Sequence, residues 1–170
     1  THLKYLFMRL FISAILVGLL MSFASSCGSS AAIPQMEDFN AVLKKVGNTT
    51  TYQMLIATAG GMPQLLGGKV KGTLIVPTDE AFNQLGAQAL MDLMDAQKTS
   101  DQMSMLKKLV LNLPLSPKKL AAMGTVTTVE GSSISVKNES NVLSFGDAKV
   151  IYSWQTKEGM VYVVNKVLKF

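Results

Sequence analysis

The stretch TLIVPTDEAFNQL, Thr73 to Leu85, changes character halfway. Thr73 to Val76 is a short β-rich run, and Pro77 stops it because its ring removes the N–H that a ladder needs. Thr78 carries the side chain of a helix cap. Asp79 and Glu80 then fall in the first turn, where negative charge meets the positive end of the helix dipole. Ala81, Phe82 and Leu85 continue as the apolar side of that helix. Capping accounts for Asp79 and Glu80 without catalysis or cation binding.

Upstream, Phe39, Val42, Leu43 and Val46 follow helical spacing, with Gly47 and Asn48 as the stop. Tyr52, Leu55 and Ile56 predict a second helical piece ending at Gly60-Gly61. Downstream, Leu90, Leu93 and Met94 mark a short helix. A further one is expected from Ser100 as its cap, with Met103, Leu106, Leu109 and Val110 on one side. Met91, Met94, Met103 and Met105 read as core filler at helical spacing; an adaptable groove is the alternative.

From Thr125 the signals are for strands. In TVTTVEGSSISVK a turn at Gly131 separates short β-rich runs, and Ile134 and Val136 alternate with polar neighbours. NVLSFGDAKVIYSW and GMVYVVNKVLKF add strands around Gly146 and the Lys157-Glu158-Gly159 turn. Met160 to Val164 is apolar at every position, as for a strand covered on both faces. Helices first, one early strand and a β-rich end predict an α+β domain, with N-terminal helices packed on a small β-sandwich or wedge of short strands.

In this order and wording the chain resembles the fasciclin domain, an adhesion-associated extracellular module, from about Asp38 to Leu168. TLIVPTDEAFNQL is similar to the family's first signature, and GMVYVVNKVLKF, Gly159 to Phe170, to its closing strand. VEGSSISVKN resembles the family's hairpin and DAKVIYSW the strand before the last. Family members commonly carry a Tyr-His pair followed by a Pro-Gly turn; the matching stretch here is LVLNLPLSPKKL, with Asn112-Leu113 at the pair. This departure weakens any carry-over of integrin binding, and Leu113 is expected to pack as core where a His would need a polar partner. The resemblance implies a binding surface near Pro77, Thr78 and Asp79 and along Asn112, Leu113 and Lys118. A helix cap and a connecting loop are the alternative reading of those two segments.

The N-terminus speaks to location. Leu10 to Met21 is apolar, follows Lys4 and Arg9 and precedes Ser22, Ala24, Ser25, Ser26 and Gly28. These are the n-region, h-region and cleavage zone of a secretory signal. A spanning helix needs about 20 apolar residues, so a retained anchor is the second choice. ASSC, Ala24 to Cys27, resembles a bacterial lipobox, in which the cysteine thiol accepts a diacylglycerol; an ordinary signal cut nearby would leave Cys27 incidental. We expect a signal over residues 1–26, its true start at Met8, a Ser/Ala/Gly-rich tether over 27–35 and the domain over 36–170. The expected site is the cell envelope, as an outer-membrane or surface lipoprotein held at the membrane through Cys27.

Cys27 is the only cysteine, so no internal disulfide supports an exported domain. His2 is the only histidine and precedes the expected cut. The mature domain therefore has no Ser-His or Cys-His pair and no His-containing metal site. The formal net charge of +5 falls further once Lys4 and Arg9 are removed, too mild for a nucleic-acid partner. The expected function is a non-enzymatic adhesion module without cofactor, presented to extracellular matrix, polysaccharide or a surface protein. Two alternatives are a carboxylate-dependent envelope enzyme acting on a glycan or lipid, and a small-molecule carrier using the Met-rich helices.

Overall fold

A computed structural model describes residues 36–68 and 71–169. The expectations for the signal, Cys27 and the tether lie outside these residues.

Helix α1, Phe39–Val46, starts where Asp38 accepts a hydrogen bond from the Ala41 N–H at 2.7 Å. It ends at Gly47, whose φ of 76° supplies the left-handed turn that stops a helix. Its apolar face buries Phe39, Val42 and Leu43. Helix α2, Thr50–Thr58, buries Tyr52, Leu55 and Ile56, and the short α3, Met62–Leu65, follows the Gly60-Gly61 pair. All three obey the helical spacing of their apolar residues. The Tyr52 hydroxyl is buried without a hydrogen-bond partner among the described residues, and burial pushes its pKa up.

Strand β1, Gly72–Pro77, is buried at every position and leads through Thr78 into α4, Asp79–Asn83. Helices α5, Ala87–Met94, and α6, Thr99–Lys108, follow, then β2, Val110–Leu111, and α7, Pro117–Met123. The β-rich end supplies β3, Thr125–Thr127; β4, Ser133–Glu139; β5, Val142–Phe145; β6, Ala148–Gln155; and β7, Gly159–Val164. The fold is α+β, as the sequence predicts. Its short strands join edge to edge in the order β2-β1-β7-β6-β5-β4-β3. Ile134 and Val136 point inward from β4 and β7 is buried along its length, also as expected.

Two local expectations change. Ser100 lies inside the first turn of α6 instead of capping it, and no side chain caps that helix. The preceding turn is organised by Asp95, which accepts from the Gln97 N–H at 2.9 Å, and by Gln102, whose amide donates to the Leu93 and Asp95 carbonyls. The apolar row Met103, Leu106, Leu109 and Val110 is also split. Val110 leaves the helix to pair with Leu74 of β1, because a strand beside β1 satisfies its edge.

The closing strand β7 lies parallel to the early strand β1, with Gly72 opposite Gly159 and Pro77 opposite Val164. The start of this pair is very close: a Cβ on Gly159 would overlap the Gly72 carbonyl, and one on Gly72 would come within 2.9 Å of the Leu111 carbonyl oxygen. Only glycine lets the strands meet there. Gly159→Ala is therefore expected to destabilise the domain by about 3 kcal/mol, read as a lower urea midpoint. An unchanged midpoint would show that the close approach is not required.

Candidate functional site

The first expected site segment is the junction between β1 and α4. The Thr78 N–H donates to the Val164 carbonyl at 3.1 Å, and its hydroxyl accepts from the Ala81 N–H at 3.2 Å. Thr78 thus caps α4, as predicted, and ties it to β7. Asp79 does more than meet the dipole of its own helix. Its two oxygens accept from the Thr50 and Thr51 N–H groups at 3.1 and 2.7 Å, at the exposed start of α2. The hydroxyl of Thr49, the residue before α2, turns instead to the Leu43 carbonyl at 3.2 Å, so Asp79 supplies the missing cap from a distant part of the chain. Glu80 accepts from the Asn48 side chain at 2.6 Å, and the Asp79 N–H donates to the Asn48 carbonyl at 3.0 Å.

The carboxylates respond as anions held by donors. Partial burial pushes the Asp79 pKa up, but the hydrogen bonds from Thr51 and Thr50 outweigh it and leave the value below the ordinary carboxylate range. For Glu80, its own backbone N–H and then Asn48 lower the pKa. Both shifts run opposite to what a general acid working near neutrality needs.

The second segment is the loop from Asn112 to Lys118. The Thr73 hydroxyl donates to the Leu113 carbonyl at 2.7 Å and accepts from the Leu115 N–H at 2.9 Å. The Tyr162 hydroxyl donates to the Leu115 carbonyl at 2.7 Å, and burial pushes its pKa up. Leu113 does not pack as core. Its side chain is 58% exposed while Leu115, two residues on, is the one turned inward. The physical reason is that Thr73 and Tyr162 grip the main chain of this loop, which sends Leu113 outward. Asn112 and Lys118 are exposed as well.

The two segments do not converge. Because β2 runs antiparallel to β1 with Leu111 opposite Thr73, Asn112 and Leu113 emerge beside the start of β1. Pro77 to Asp79 lie at its other end, four residues or about 13 Å along the strand. Pro77 and Thr78 are also buried, so their role is structural.

The groups relevant to the two alternatives are also occupied. Asp38 and Glu158 line one cleft of about 300 Å³. Each closes the start of α1, Asp38 on the Ala41 N–H and Glu158 on the Phe39 N–H at 3.1 Å. That meeting joins residues far apart in sequence and has no local signal. Met94, Met103 and Met105 are half-buried against the core, whereas Met91 is exposed. Met105 borders an open cleft of about 400 Å³ with Asp101, Ser104 and Lys108, a mixed lining unlike an apolar cargo cavity. Among the described residues no three His, Cys, Asp or Glu side chains are grouped to hold a metal ion.

The β1–β7 pairing and the capped junction between them are the two stretches that resemble the fasciclin signatures, and the Fasciclin domain family model matches residues 47–170. The chain belongs to the fasciclin family. The match begins at Gly47, just beyond α1. A solved FAS1 domain pair from the insect cell adhesion molecule fasciclin I is similar in fold, with a TM-score of 0.57 at 18% sequence identity. The similarity covers 76% of this chain and 45% of that domain pair, so the chain spans less than half of the solved protein. No curated protein matches the sequence. In this fasciclin domain the stretch at Asn112-Leu113 is held through its main chain by Thr73 and Tyr162.

The Asp79 cap is open to test by pH. A folded-state pKa below the unfolded one contributes stability that is fully present above the ordinary aspartate value of 3.8 and lost as pH falls through the lower folded value. Asp79→Asn is expected to lower stability by about 1 kcal/mol at pH 7 and to flatten its decline below pH 4. An equally steep acid decline in the variant would remove Asp79 from this role.

Proposed function

We propose that this fasciclin domain is a non-enzymatic adhesion module of the cell envelope, presented to matrix, polysaccharide or another surface protein. The family membership over residues 47–170 carries the reading. Its support from chemistry is that the acidic groups with shifted pKa values, Asp79 and Glu80, and the cleft pair Asp38 and Glu158 are all engaged in closing helix ends or connections. Binding then falls to exposed surface, with Asn112, Leu113 and Lys118 as the exposed members of the segments considered above. The residues before the domain supply the location: the export signal ends at ASSC, and Cys27 carries the lipid that holds the protein at the outer membrane or cell surface.

The anchor and the binding role are tested separately. Mass spectrometry of the mature N-terminus is expected to find a diacylated Cys27 as the first residue; an unmodified Cys27, or a terminus elsewhere, would contradict the anchor. A panel of matrix proteins and polysaccharides probed with the mature protein is expected to give saturable binding to at least one member. Silence across the panel, with no hydrolysis of the glycans offered, would contradict the adhesion role and leave the fold untouched.

A further inference from the structure

Strand β6 is the least covered strand of the sheet, although it lies between β5 and β7. Ile151, Tyr152, Ser153 and Gln155 are exposed and Trp154 is half-exposed. The cause is a split in the ladder. β5 pairs with β6 only at Phe145–Ala148 and Ser144–Lys149, whereas β7 pairs with β6 as far as Gln155. From Val150 to Gln155, a length of about 20 Å, alternate N–H and C=O groups of β6 point away from β7 and meet no strand among the described residues. Such an edge is a template for another strand.

The side chains beside this edge indicate what it would accept. A bulge between Val150 and Tyr152 shifts the register against β7, so that Tyr152 lies opposite Val163 and Trp154 opposite Val161. The Asn165 N–H donates to the Lys149 carbonyl at 3.1 Å, which puts Lys149 on the same face as those two rings by strand alternation. Tyr152 and Trp154 touch on this face, their ring centroids 5.4 Å apart. Lys137 joins them, because Ser144 pairs with both Lys137 and Lys149. Neither lysine meets a carboxylate among the described residues. The nearby Asp147 is taken by Lys166 at 3.4 Å, and Glu139 lies further out, at the end of β4.

We propose that the free edge of β6 binds an extended acidic peptide as an added β-strand, with its apolar side chains on Tyr152 and Trp154 and its carboxylates on Lys149 and Lys137. The proposal rests on the adhesion reading and gives that reading a site and a partner chemistry. A second copy of the chain suits the edge less well: its own β6, AKVIYSWQ, carries no carboxylate for these lysines. A polysaccharide would use the rings and lysines but leave the backbone edge unpaired.

Trp154 is the only tryptophan and reports on the site directly. The full chain is titrated with a Glu-Val decapeptide that carries two Val and then two Glu at successive alternate positions with Thr between, so that all four share one face, its Lys-Val counterpart, the same Glu-Val peptide N-methylated throughout, and an oligoglucuronate, following Trp154 emission. The expected result is a saturable blue shift with Glu-Val alone, weakened about tenfold by Lys149→Glu, a surface change whose unfolding midpoint is checked in parallel. Equal binding of the N-methylated peptide would overturn strand addition, and binding of oligoglucuronate without the peptide would overturn the peptide assignment. Panel binding that survives Lys149→Glu, with no response to Glu-Val, would sink this site and leave the adhesion role standing; silence in both would sink the two together.

Discussion

Gly72 and Gly159 face each other across two parallel strands that come from opposite ends of the domain, and neither position has room for a Cβ. Every later feature is arranged around that meeting. With β7 on one side and β2 on the other, β1 is paired on both edges at Thr73 and Leu74, and both faces of β1 and β7 are buried. Each fully buried aliphatic side chain in the pair contributes about 2 kcal/mol. The contact is non-local, so its loop-closure entropy is met before its burial is gained; folding governed by such pairings is slow relative to helical bundles.

The polar groups near this pair are satisfied by reciprocal ties. At one end of β1, Thr78 holds β7 and caps α4 while Asp79 caps α2. At the other, Thr73 and Tyr162 hold the Leu113–Leu115 main chain. Asp79 and Thr73 thus serve backbone groups belonging to other elements. A short strand organises its surroundings because the junction after it caps a distant helix, α2, and a hydroxyl near its start holds a distant loop.

Much of this was legible in the sequence where the signal is local. The Thr78 cap, the Gly47 stop, the alternation of Ile134 and Val136 and the continuous burial of Met160 to Val164 each follow from residue type at a given spacing. What stayed hidden depends on distant partners. The junction PTDE announces a capped helix, but nothing near Asp79 reveals that α2 begins beside it. Leu113 illustrates the same limit: its apolar side chain predicts core, yet the loop's orientation is fixed by hydroxyls from β1 and β7. The exposure of Tyr152 and Trp154 is likewise set by where β5 stops pairing, and DAKVIYSW read alone is an ordinary strand.

Function is divided accordingly between a rigid interior and the surfaces it leaves open. Asp38, Asp79, Glu80 and Glu158, which look chemically active in the sequence, hold the fold, while most of β6 and of the loop from Asn112 to Lys118 stands exposed. Native-state hydrogen exchange tests the central claim most directly, because it measures the opening free energy of each element separately. If the β1–β7 pair closes the fold, the amides of both strands exchange only through global unfolding, with one shared free energy that matches the urea value. Exchange of β7 through a smaller opening while β1 stays protected would contradict it.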